Sequence, residues 1–441
     1  MTGTTVGPVG RRYDRAHVSA STPPLVPGER PPMRSRVAVA VGRAVAGLSR
    51  LTHVGTGSVI GGRAALAIDP DLLRSLTRSR PVVLISATNG KTTTTRLTAA
   101  AIGSSRPVVS NWRGANMTPG IVAALGGARA DATAVLEVDE RWLETVLPDT
   151  AASLVLLLNL SRDQLDRTQE VRKIAGRWRA ALERTPTTVV ANADDPLVAW
   201  AAAGAARVVW IATGLEWTAD ASGCPACAGR IVFDADGWRC PTCGLARPTP
   251  DVRVGDGVID FADTSVRPTS PLPGRVNLVN AAFAISAARE VGVDPQAACS
   301  ALDDVHEIAG RYRRAEIDGV AIRQLLAKNP AGWHEALDML EPGPAIVAIN
   351  ARIADGHDPS WLWDVDFEAL RGRTVVAIGD RRLDLAVRLR YAGVDHVLAD
   401  DLRSAVALAR RSSGWSPERP IDVVANYTAF RDHLALTGGV V

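Results

Sequence analysis

The stretch from Ala87 to Thr95, ATNGKTTTT, most constrains how this chain can fold. The apolar run before it, Pro81–Ile85 (PVVLI), is typical of a buried parallel strand, and Arg96–Ile102 after it has the apolar spacing of a helix. A strand, a turn of small residues, Gly-Lys-Thr and a helix make up a phosphate-binding loop, because N–H groups at a helix N-terminus face phosphate anions. The predicted nucleotide-binding residues are Thr88, Asn89, Gly90, Lys91, Thr92 and Thr93.

Two residues of this loop have the most specific predicted chemistry. Lys91 would reach the β- and γ-phosphates of a nucleotide, and the Thr92 hydroxyl would bind Mg²⁺. The spacing departs from the usual motif, because Ile85 stands where its first Gly is expected. The alternative is a Thr-rich helix start with a chance Gly-Lys, which the preceding strand disfavours.

The composition is that of an ordinary globular protein. The chain has 441 residues, of which 46% are hydrophobic and 22% charged, and a formal net charge of +3. These values predict two or three domains and exclude binding to nucleic acid through bulk charge. No apolar stretch reaches the roughly 18 residues of a membrane span. Residues 1–33 are largely polar and Pro-rich without the apolar segment of a signal peptide, which predicts a disordered tail on a cytoplasmic protein.

Several predicted strands after the phosphate loop end in polar residues. Thr133–Val138 is followed by acidic residues, Ser153–Leu158 by Asn159, and Thr188–Ala191 by the sequence NADDP. The carboxyl ends of strands form the ligand crevice of an open α/β sheet. Carboxylate and amide oxygens that recur there match the needs of a magnesium–nucleotide site.

Four of the five cysteines form a compact pattern, CPAC, twelve residues and CPTC. Two such knuckles supply four thiolates for tetrahedral Zn²⁺, and a site closed by four protein ligands is structural. Redox-active CxxC motifs are the alternative, disfavoured because neither lies at a helix start. Gly223 and Gly244 flank the pattern and are predicted to form its tight turns. The predicted zinc ligands are Cys224, Cys227, Cys240 and Cys243.

Two segments flank this central region. Arg34–Leu51 alternates Arg with Val and Ala at helical spacing, which favours a packed first helix over one lying on a membrane surface. Gly55–Ala67 is Gly-rich and predicted to be a loop. Asn277 and Asn280 lie on one face of a helix, where their amides could read an adenine edge or act as caps.

A second α/β pattern occupies the C-terminal third and predicts a Rossmann-like domain. One of its predicted strands, Ala345–Ile349, leads into the polar segment Asn350–Asp364. Polar residues beside paired tryptophans often contact a partner, and a solvated loop with inward-packed Trp is the alternative. The notable residues of this segment are Asp355, His357, Asp358, Trp361, Trp363 and Asp364.

Together these motifs resemble the Mur ligase family and, within it, the ligase subunits of lipid II isoglutaminyl synthase. The resemblance runs from about Arg34 to the C-terminus. It implies an α/β fold with a Mur-ligase-type ATPase domain at residues 34–304, a zinc-ribbon insertion at 220–247 and a Rossmann-like ligase domain at 305–441. The motifs that carry it are TNGKTT from Thr88, EVDE from Glu137, NLSRDQLDR from Asn159, NADDP from Asn192, GRVNLVNAA from Gly274 and KNPAG from Lys328.

The resemblance implies a reaction of peptidoglycan biosynthesis. ATP phosphorylates the D-glutamate α-carboxylate of the lipid II stem peptide, and ammonia then converts the acyl phosphate to D-isoglutamine. The ammonia would come from a GatD-like glutaminase subunit, since this chain has no glutaminase motif of its own. The substrate would be reached at the inner face of the membrane.

The resemblance also implies individual roles. Thr92 and Glu137 would hold Mg²⁺, Asn280 would lie near adenine, and Arg311 near the ribose or phosphates. Lys91 would act in catalysis on the transferred phosphoryl group. Asp355 would orient the catalytic His of the glutaminase, with Asp358 and Asp364 as weaker candidates.

Two other functions stay open on the sequence. A ligase of the folylpolyglutamate or cyanophycin type uses the same acyl-phosphate chemistry with an amino acid as nucleophile. A zinc-ribbon binding module switched by ATP would hydrolyse ATP without forming any amide.

Overall fold

The computed structural model describes residues 31–51, 58–111, 115–162, 171–214, 217–269, 272, 274–305 and 312–438. Residues 1–30 of the predicted tail and Arg311 lie outside this part of the chain. The first helix begins at Met33, the last residue of the predicted tail.

The first of two large sheets has nine strands in the order β11-β10-β9-β6-β5-β4-β1-β3-β2. The neighbouring strands β9, β6, β5, β4, β1, β3 and β2 of this sheet run parallel. Strands β10 and β11 extend the sheet beyond β9 as an antiparallel meander. The strands are β1 (Val82–Ser86), β2 (Val108–Ser110), β3 (Thr133–Glu137), β4 (Leu154–Leu157), β5 (Thr188–Asn192), β6 (Arg207–Ala212), β7 (Val232–Asp234), β8 (Gly237–Arg239), β9 (Val252–Gly255), β10 (Val258–Asp260) and β11 (Ser265–Val266), of which β7 and β8 form a separate hairpin.

Helices cover both faces of this sheet, as the fully buried strands β1, β3 and β4 require. They are α1 (Met33–Leu51), α2 (Ser58–Ile68), α3 (Leu72–Thr77), α4 (Lys91–Gly103), α5 (Thr118–Leu125), α6 (Leu143–Thr150), α7 (Val171–Leu182), α8 (Pro196–Ala202), α9 (Arg275–Glu290) and α10 (Pro295–Ser300).

The second sheet has six strands in the order β12-β13-β17-β14-β15-β16, parallel except for the pair β12–β13. Its strands are β12 (Tyr312–Ile317), β13 (Val320–Leu326), β14 (Ala345–Ala348), β15 (Val375–Ile378), β16 (His396–Leu398) and β17 (Ile421–Ala425), and its helices are α11 (Pro330–Asp338), α12 (Arg382–Ala392), α13 (Leu402–Ala409) and α14 (Tyr427–Leu436).

The α/β architecture predicted from the sequence is confirmed. The boundary between residues 304 and 305 stays a prediction, because residues 306–311 between the two sheets are not described. Among the described residues, no helix has the length and apolar character needed to cross a bilayer.

The loop prediction for Gly55–Ala67 is wrong, since Ser58–Ile68 is helix α2. Its glycines serve helix packing. A Cβ on Gly61 would lie 2.5 Å from the Gly42 carbonyl oxygen, and one on Gly42 would lie 2.7 Å from that of Gly61. Helices α1 and α2 therefore approach so closely that only glycine fits at their contact.

Candidate active site

The phosphate loop is held at the carboxyl edge of the first sheet by bonds to the end of β4. The Asn89 N–H donates to Asn159 Oδ1 at 2.8 Å, and Asn159 Nδ2 donates back to the Asn89 carbonyl at 3.1 Å. Thr88 Oγ1 donates to the Ser161 carbonyl at 3.1 Å and accepts from its N–H at 3.0 Å. Asn159 and Ser161 therefore shape the loop, and Asn159 is one of the polar residues that the sequence places directly after a predicted strand.

Gly90 precedes helix α4 in a left-handed conformation, with φ at 80°. A Cβ there would lie 2.9 Å from Asn280 Oδ1. Glycine is required both for the backbone angle and for this close approach. The N–H groups that begin α4 are thus presented at the sheet edge, where a phosphate would bind. Thr92 and Thr93, in the first turn of the helix, are buried with 8% of each residue exposed.

Lys91 is folded back onto its own loop. Its Nζ donates to the carbonyl oxygens of Ala87 and Thr88, and to Glu140 Oε2 at 2.8 Å. Burial raises the pKa of the Glu140 carboxyl, although the ammonium beside it acts in the opposite direction. In this conformation the cation holds the loop, and a bound phosphate would compete with Glu140 for it.

Glu137 lies at the end of β3 with only 1% of its surface exposed. The Asn111 side chain forms two hydrogen bonds with the Glu137 backbone. Its Oδ1 accepts from the Glu137 N–H at 2.8 Å, and its Nδ2 donates to the Glu137 carbonyl at 2.9 Å. Asn116 Nδ2 donates to Oε1 at 3.0 Å, whereas the buried Oε2 has no hydrogen-bond partner among the described residues. A buried carboxylate oxygen without a donor suits a cation ligand, so the residue fits the predicted magnesium site.

Asn280 joins helix α9 to the phosphate-loop helix. Its Oδ1 accepts from Thr94 Oγ1 at 3.1 Å, and its Nδ2 donates to Asn277 Oδ1 at 3.3 Å. The side chain is buried and lines a cavity of about 310 Å³ beside the loop. The structure thus places Asn280 at this cavity and leaves its predicted contact with adenine a prediction.

This cavity lies between the first sheet and helix α11 of the second α/β unit. Trp217 and His334 are on its lining with ring centroids 6.3 Å apart, which places one aromatic ring from each unit close together. Asp195, also on the lining, accepts from the N–H groups of Leu160, Leu197 and Val198. Burial raises the pKa of Asp195 to about 6. No motif signalled Trp217 or His334, because neither belongs to a recognisable spacing.

Two hydrogen bonds join the two α/β units at the phosphate loop. Asn89 Nδ2 donates to Asn329 Oδ1 at 3.1 Å, and Asn329 Nδ2 donates back to Asn89 Oδ1 at 3.2 Å. Asn329 is completely buried and caps α11 through a 2.9 Å bond from the Gly332 N–H. The second unit is therefore anchored on a residue of the phosphate loop itself.

The four predicted zinc ligands come together as a candidate metal site. Their sulfur atoms all lie within 4.8 Å of one another, with Cys224–Cys243 and Cys227–Cys240 separations of 3.6 Å. Four sulfurs bound to zinc at about 2.3 Å would be separated by about 3.8 Å, so the cluster fits a tetrahedral Zn²⁺. Each knuckle turns through a residue with positive φ, Ala228 in the first and Gly244 in the second. The predicted turn at Gly244 is present, and Gly223 is not the matching position.

The cysteine module packs against the first sheet. Trp238 on its hairpin is 4% exposed and donates from Nε1 to the Ala193 carbonyl at 2.9 Å. Asp194, the residue after Ala193, accepts hydrogen bonds from Thr213 N at 2.7 Å, from Gly214 N at 2.6 Å and from the Arg247 side chain. The module therefore supports the segment that follows β6, which lines the cavity beside the phosphate loop.

Two family models match this chain: the Mur ligase middle domain over residues 85–288 and the MurT ligase C-terminal domain over residues 326–430. The lipid II isoglutaminyl synthase (glutamine-hydrolyzing) subunit MurT of Streptococcus pneumoniae is 31% identical over 380 residues, covering 78% of this chain and 84% of that one. The chain belongs to the MurT family of Mur ligases. The MurT subunit of Staphylococcus aureus strain COL is 28% identical over 405 residues, covering 85% of this chain and 91% of that subunit.

Solved structures share the fold. A pseudomurein peptide ligase type C from Methanothermus fervidus has a TM-score of 0.62 at 17% identity, over 83% of this chain and 80% of its own. The MurF ligase of Thermotoga maritima in complex with ADP has a TM-score of 0.58 at 17% identity, over 84% and 82%. As a MurT-family member the chain is a ligase, and the Mur ligase family implies the use of ATP and Mg²⁺.

The MurT C-terminal domain contains the segment Asn350–Asp364. Asp355 is 9% exposed; its Oδ1 accepts from the Thr428 N–H at 2.9 Å, and its Oδ2 accepts from the Thr428 hydroxyl and from Arg352 N at 3.3 Å. The weaker candidates have other partners: Asp358 accepts from Ser360 N at 2.9 Å, and Asp364 lies 3.5 Å from Arg162. Of these three acids, Asp355 is the one held in a fixed, buried position.

The two tryptophans of this MurT segment point in different directions. Trp361 is 8% exposed and stacks on Trp333 with centroids 6.0 Å apart. Trp363 is 55% exposed, contacts Tyr391 edge-on at 5.4 Å and covers the Arg388 guanidinium at 5.6 Å. The inward-packed interpretation of the sequence therefore applies to Trp361, and contact of the exposed Trp363 with a partner stays a prediction.

Proposed function

We propose that this chain is the ligase subunit of a lipid II isoglutaminyl synthase. The observation that carries the proposal is the Asn89–Asn329 bond, which brings the phosphate loop of the Mur ligase domain against the MurT C-terminal domain. A ligase that forms an acyl phosphate must exclude water from it, and contact between two domains provides that exclusion. The MurT relatives named above carry the same activity in their names.

The reaction proceeds in two steps. The α-carboxylate oxygen of the D-glutamyl residue attacks the γ-phosphorus of ATP, the bond to the bridging oxygen breaks, and ADP leaves. Ammonia then attacks the acyl carbon and loses a proton, and the bond to the phosphate oxygen breaks to give the primary amide. Charge spreads over the phosphoryl oxygens during the first step, so catalysis consists mainly of positioning and electrostatic stabilisation.

The phosphate-loop residues divide these tasks. The N–H groups of α4 and the Lys91 ammonium would stabilise the transferring phosphoryl group, once phosphate replaces Glu140 as the partner of Lys91. Thr92 and the unpartnered Oε2 of Glu137 would hold Mg²⁺, which neutralises phosphate charge when bound. Asn280 would contact adenine, and Arg311 would lie near the ribose or phosphates.

The zinc proposal concerns stability. Cys224, Cys227, Cys240 and Cys243 would bind one structural Zn²⁺, because four thiolates leave no open coordination position for substrate. Bound zinc would then hold Trp238 against Ala193. Through the hydrogen bonds of Asp194, it would also hold the backbone that follows β6.

We assign the partner-binding surface to one face of α12 and the adjoining loop. Leu383, Val387 and Tyr391 follow one another at helical spacing and are 66%, 51% and 75% exposed. Trp363, 55% exposed, continues this apolar surface through its edge-on contact with Tyr391 at 5.4 Å, and Ile353 in the same loop is 74% exposed. Exposed aromatic and aliphatic residues that cluster in this way mark a protein interface. The occupant we propose is a GatD-like glutaminase.

Asp355 lies in the loop of this surface and would orient the glutaminase His. Its carboxylate is fixed by Thr428, and Oδ1 has one identified donor, so a second lone pair is available to an imidazole N–H. Rigid support of this kind is what an orienting acid requires.

The test is amidation by purified chain together with its glutaminase. Lipid II, ATP, Mg²⁺ and glutamine should give a product with the mass decrease that replacement of a hydroxyl by an amino group produces. The chain alone should need ammonium instead of glutamine. Transfer of an added amino acid in place of ammonia would favour the folylpolyglutamate- or cyanophycin-type alternative, and ATP hydrolysis without any amide would favour the ATP-switched module.

A further inference from the structure

The outer face of helix α1 carries an exposed apolar stripe. Its members recur at helical spacing and project from one side of the helix. The larger ones are Met33, Val37, Val41, Leu48 and Leu51, at 70%, 48%, 38%, 63% and 80% exposure. The sequence favours a packed helix here. In the structure the fully buried residues of α1 are small, namely Ser35, Ala38, Gly42 and Ser49, and most of its larger apolar residues face outward.

A line of arginines runs beside this stripe. Arg36, Arg43 and Arg50 are seven residues apart, so they lie along one side of the helix. All three are exposed, and within the described part of the chain none forms an ion pair. Helices α1 and α2 contain no acidic residue at all. The face therefore combines apolar side chains with uncompensated positive charge.

The inner face of α1 fixes this surface on the protein. Gly42 and Gly61 hold α1 against α2, and a Cβ on Gly62 would lie 1.8 Å from the Pro119 carbonyl oxygen of α5. Helix α5 begins directly after the loop of Asn116, the residue that bonds to Glu137 at 3.0 Å. The exposed face is thus connected, through close helix contacts, to the candidate magnesium ligand.

We propose that this face of α1 docks the enzyme on an anionic membrane surface. The apolar stripe would enter the boundary between headgroups and acyl chains, and the arginines would pair with lipid phosphates. The proposal rests on the proposed function, in which the substrate is a membrane lipid. A second copy of the chain fits this face less well, because a symmetric contact would place the arginine lines of both copies together.

The test uses the complete chain in complex with its glutaminase and measures sedimentation with vesicles. One set contains equal parts of phosphatidylglycerol and phosphatidylcholine, and the other phosphatidylcholine only. Each arginine at an anionic surface contributes about fivefold to binding. The triple variant R36E/R43E/R50E should therefore bind the anionic vesicles at least tenfold more weakly than wild type, and V41D/L48D should also lose binding. The matched control R410E/R411E/R419E changes three exposed arginines of the second unit by the same charge and should bind like wild type.

A water-soluble lipid II analogue with a short chain separates this proposal from the proposed function. Wild type and R36E/R43E/R50E should amidate it equally, with unchanged thermal unfolding. Docking is overturned if wild type does not bind anionic vesicles, if the control loses as much binding as the α1 variant, or if V41D/L48D instead abolishes self-association. Failure of wild type to amidate the analogue would overturn the proposed function and leave the vesicle result to decide docking.

Discussion

Asn89 and Asn329, 240 residues apart, form a reciprocal pair of amide hydrogen bonds at 3.1 and 3.2 Å. Asn89 belongs to the phosphate loop, and Asn329 caps α11, the helix that follows β13 in the second α/β unit. Because both amides are buried, separation of the units would leave two polar groups without partners unless water replaces them. The pair therefore couples the position of the second unit to the conformation of the loop.

Two substitutions at Asn329 separate its roles. Asn329→Ala removes both the cap and the pair and should lower the free energy of unfolding by about 1–3 kcal/mol. Asn329→Asp keeps an acceptor for the Gly332 N–H but cannot donate to Asn89, so it should regain stability and still lower kcat at least tenfold. Urea unfolding and steady-state amidation measure the two effects. A wild-type kcat in Asn329→Asp would show that the pair is not needed for closure.

Lys91→Ala should abolish ATP-dependent amidation, because loss of one preorganised donor to a developing charge costs about 10²–10³-fold or more in kcat. The structure adds a stability effect, since Glu140 would be left buried without its cation. Lys91→Ala/Glu140→Gln should recover that stability without recovering activity. Single-turnover assays beside thermal unfolding make the comparison. Near-normal turnover in either variant would remove Lys91 from catalysis.

Replacing Cys224 and Cys240 by Ser should release one zinc per chain and lower the unfolding temperature, because structural zinc binding is coupled to folding. Cys299→Ser is the matched control: that cysteine is buried in α10, outside the cluster, and its replacement should leave the metal content unchanged. Elemental analysis of carefully prepared wild type provides the reference. Much less than one zinc per chain there would argue against the site.

His433 in α14 should make the protein less stable in mild acid. Burial lowers its pKa to about 4, and no described residue forms a hydrogen bond with its Nδ1. The unfolded chain protonates near its ordinary pKa of about 6.5, so stability is lost as the pH falls below that value, by about 2 kcal/mol between pH 7 and pH 5. Urea midpoints at both pH values should differ less for His433→Leu than for wild type. The same substitution at half-buried His396 should preserve the difference; an equal reduction there would contradict the assignment.

Local sequence patterns predicted the structural features that depend on residues close together in the chain. The phosphate loop, strand β1 and the cysteine cluster each follow from a short local pattern, and the structure forms the strand and brings the cysteines together. The α1–α2 contact and the Asn89–Asn329 pair depend on residues far apart in sequence. Glycines that permit close helix packing look like loop residues until the second helix is known, which is why Gly55–Ala67 was misassigned.

The same limit applies to the cavity. Trp217 and His334 come from different units and meet only in the folded chain. The family resemblance marked Glu137 as a magnesium ligand, but its unpartnered Oε2 depends on the side chains of Asn111 and Asn116, which fix the rest of the residue. Side-chain geometry of this kind follows from packing and has no signature in residue spacing.

Asp355→Asn tests the link between the two subunits. If Asp355 orients the glutaminase His, the variant should lose most amidation supported by glutamine and keep amidation supported by high ammonium, because the acyl-phosphate site lies elsewhere. The competing interpretation is structural: the carboxylate holds Thr428 at the start of α14, and Asp355-Gly356 forms a turn.

Thr428→Val separates these interpretations, because it removes the hydroxyl bond to Asp355 and leaves the carboxylate in place. A structural role predicts that Asp355→Asn and Thr428→Val lower the unfolding temperature together and reduce amidation equally with glutamine and ammonium. An orienting role predicts that Asp355→Asn has the larger effect by at least tenfold, confined to glutamine, with an altered pH profile of glutamine hydrolysis in the complex. Unchanged glutamine use in Asp355→Asn would leave this residue a turn and capping residue only.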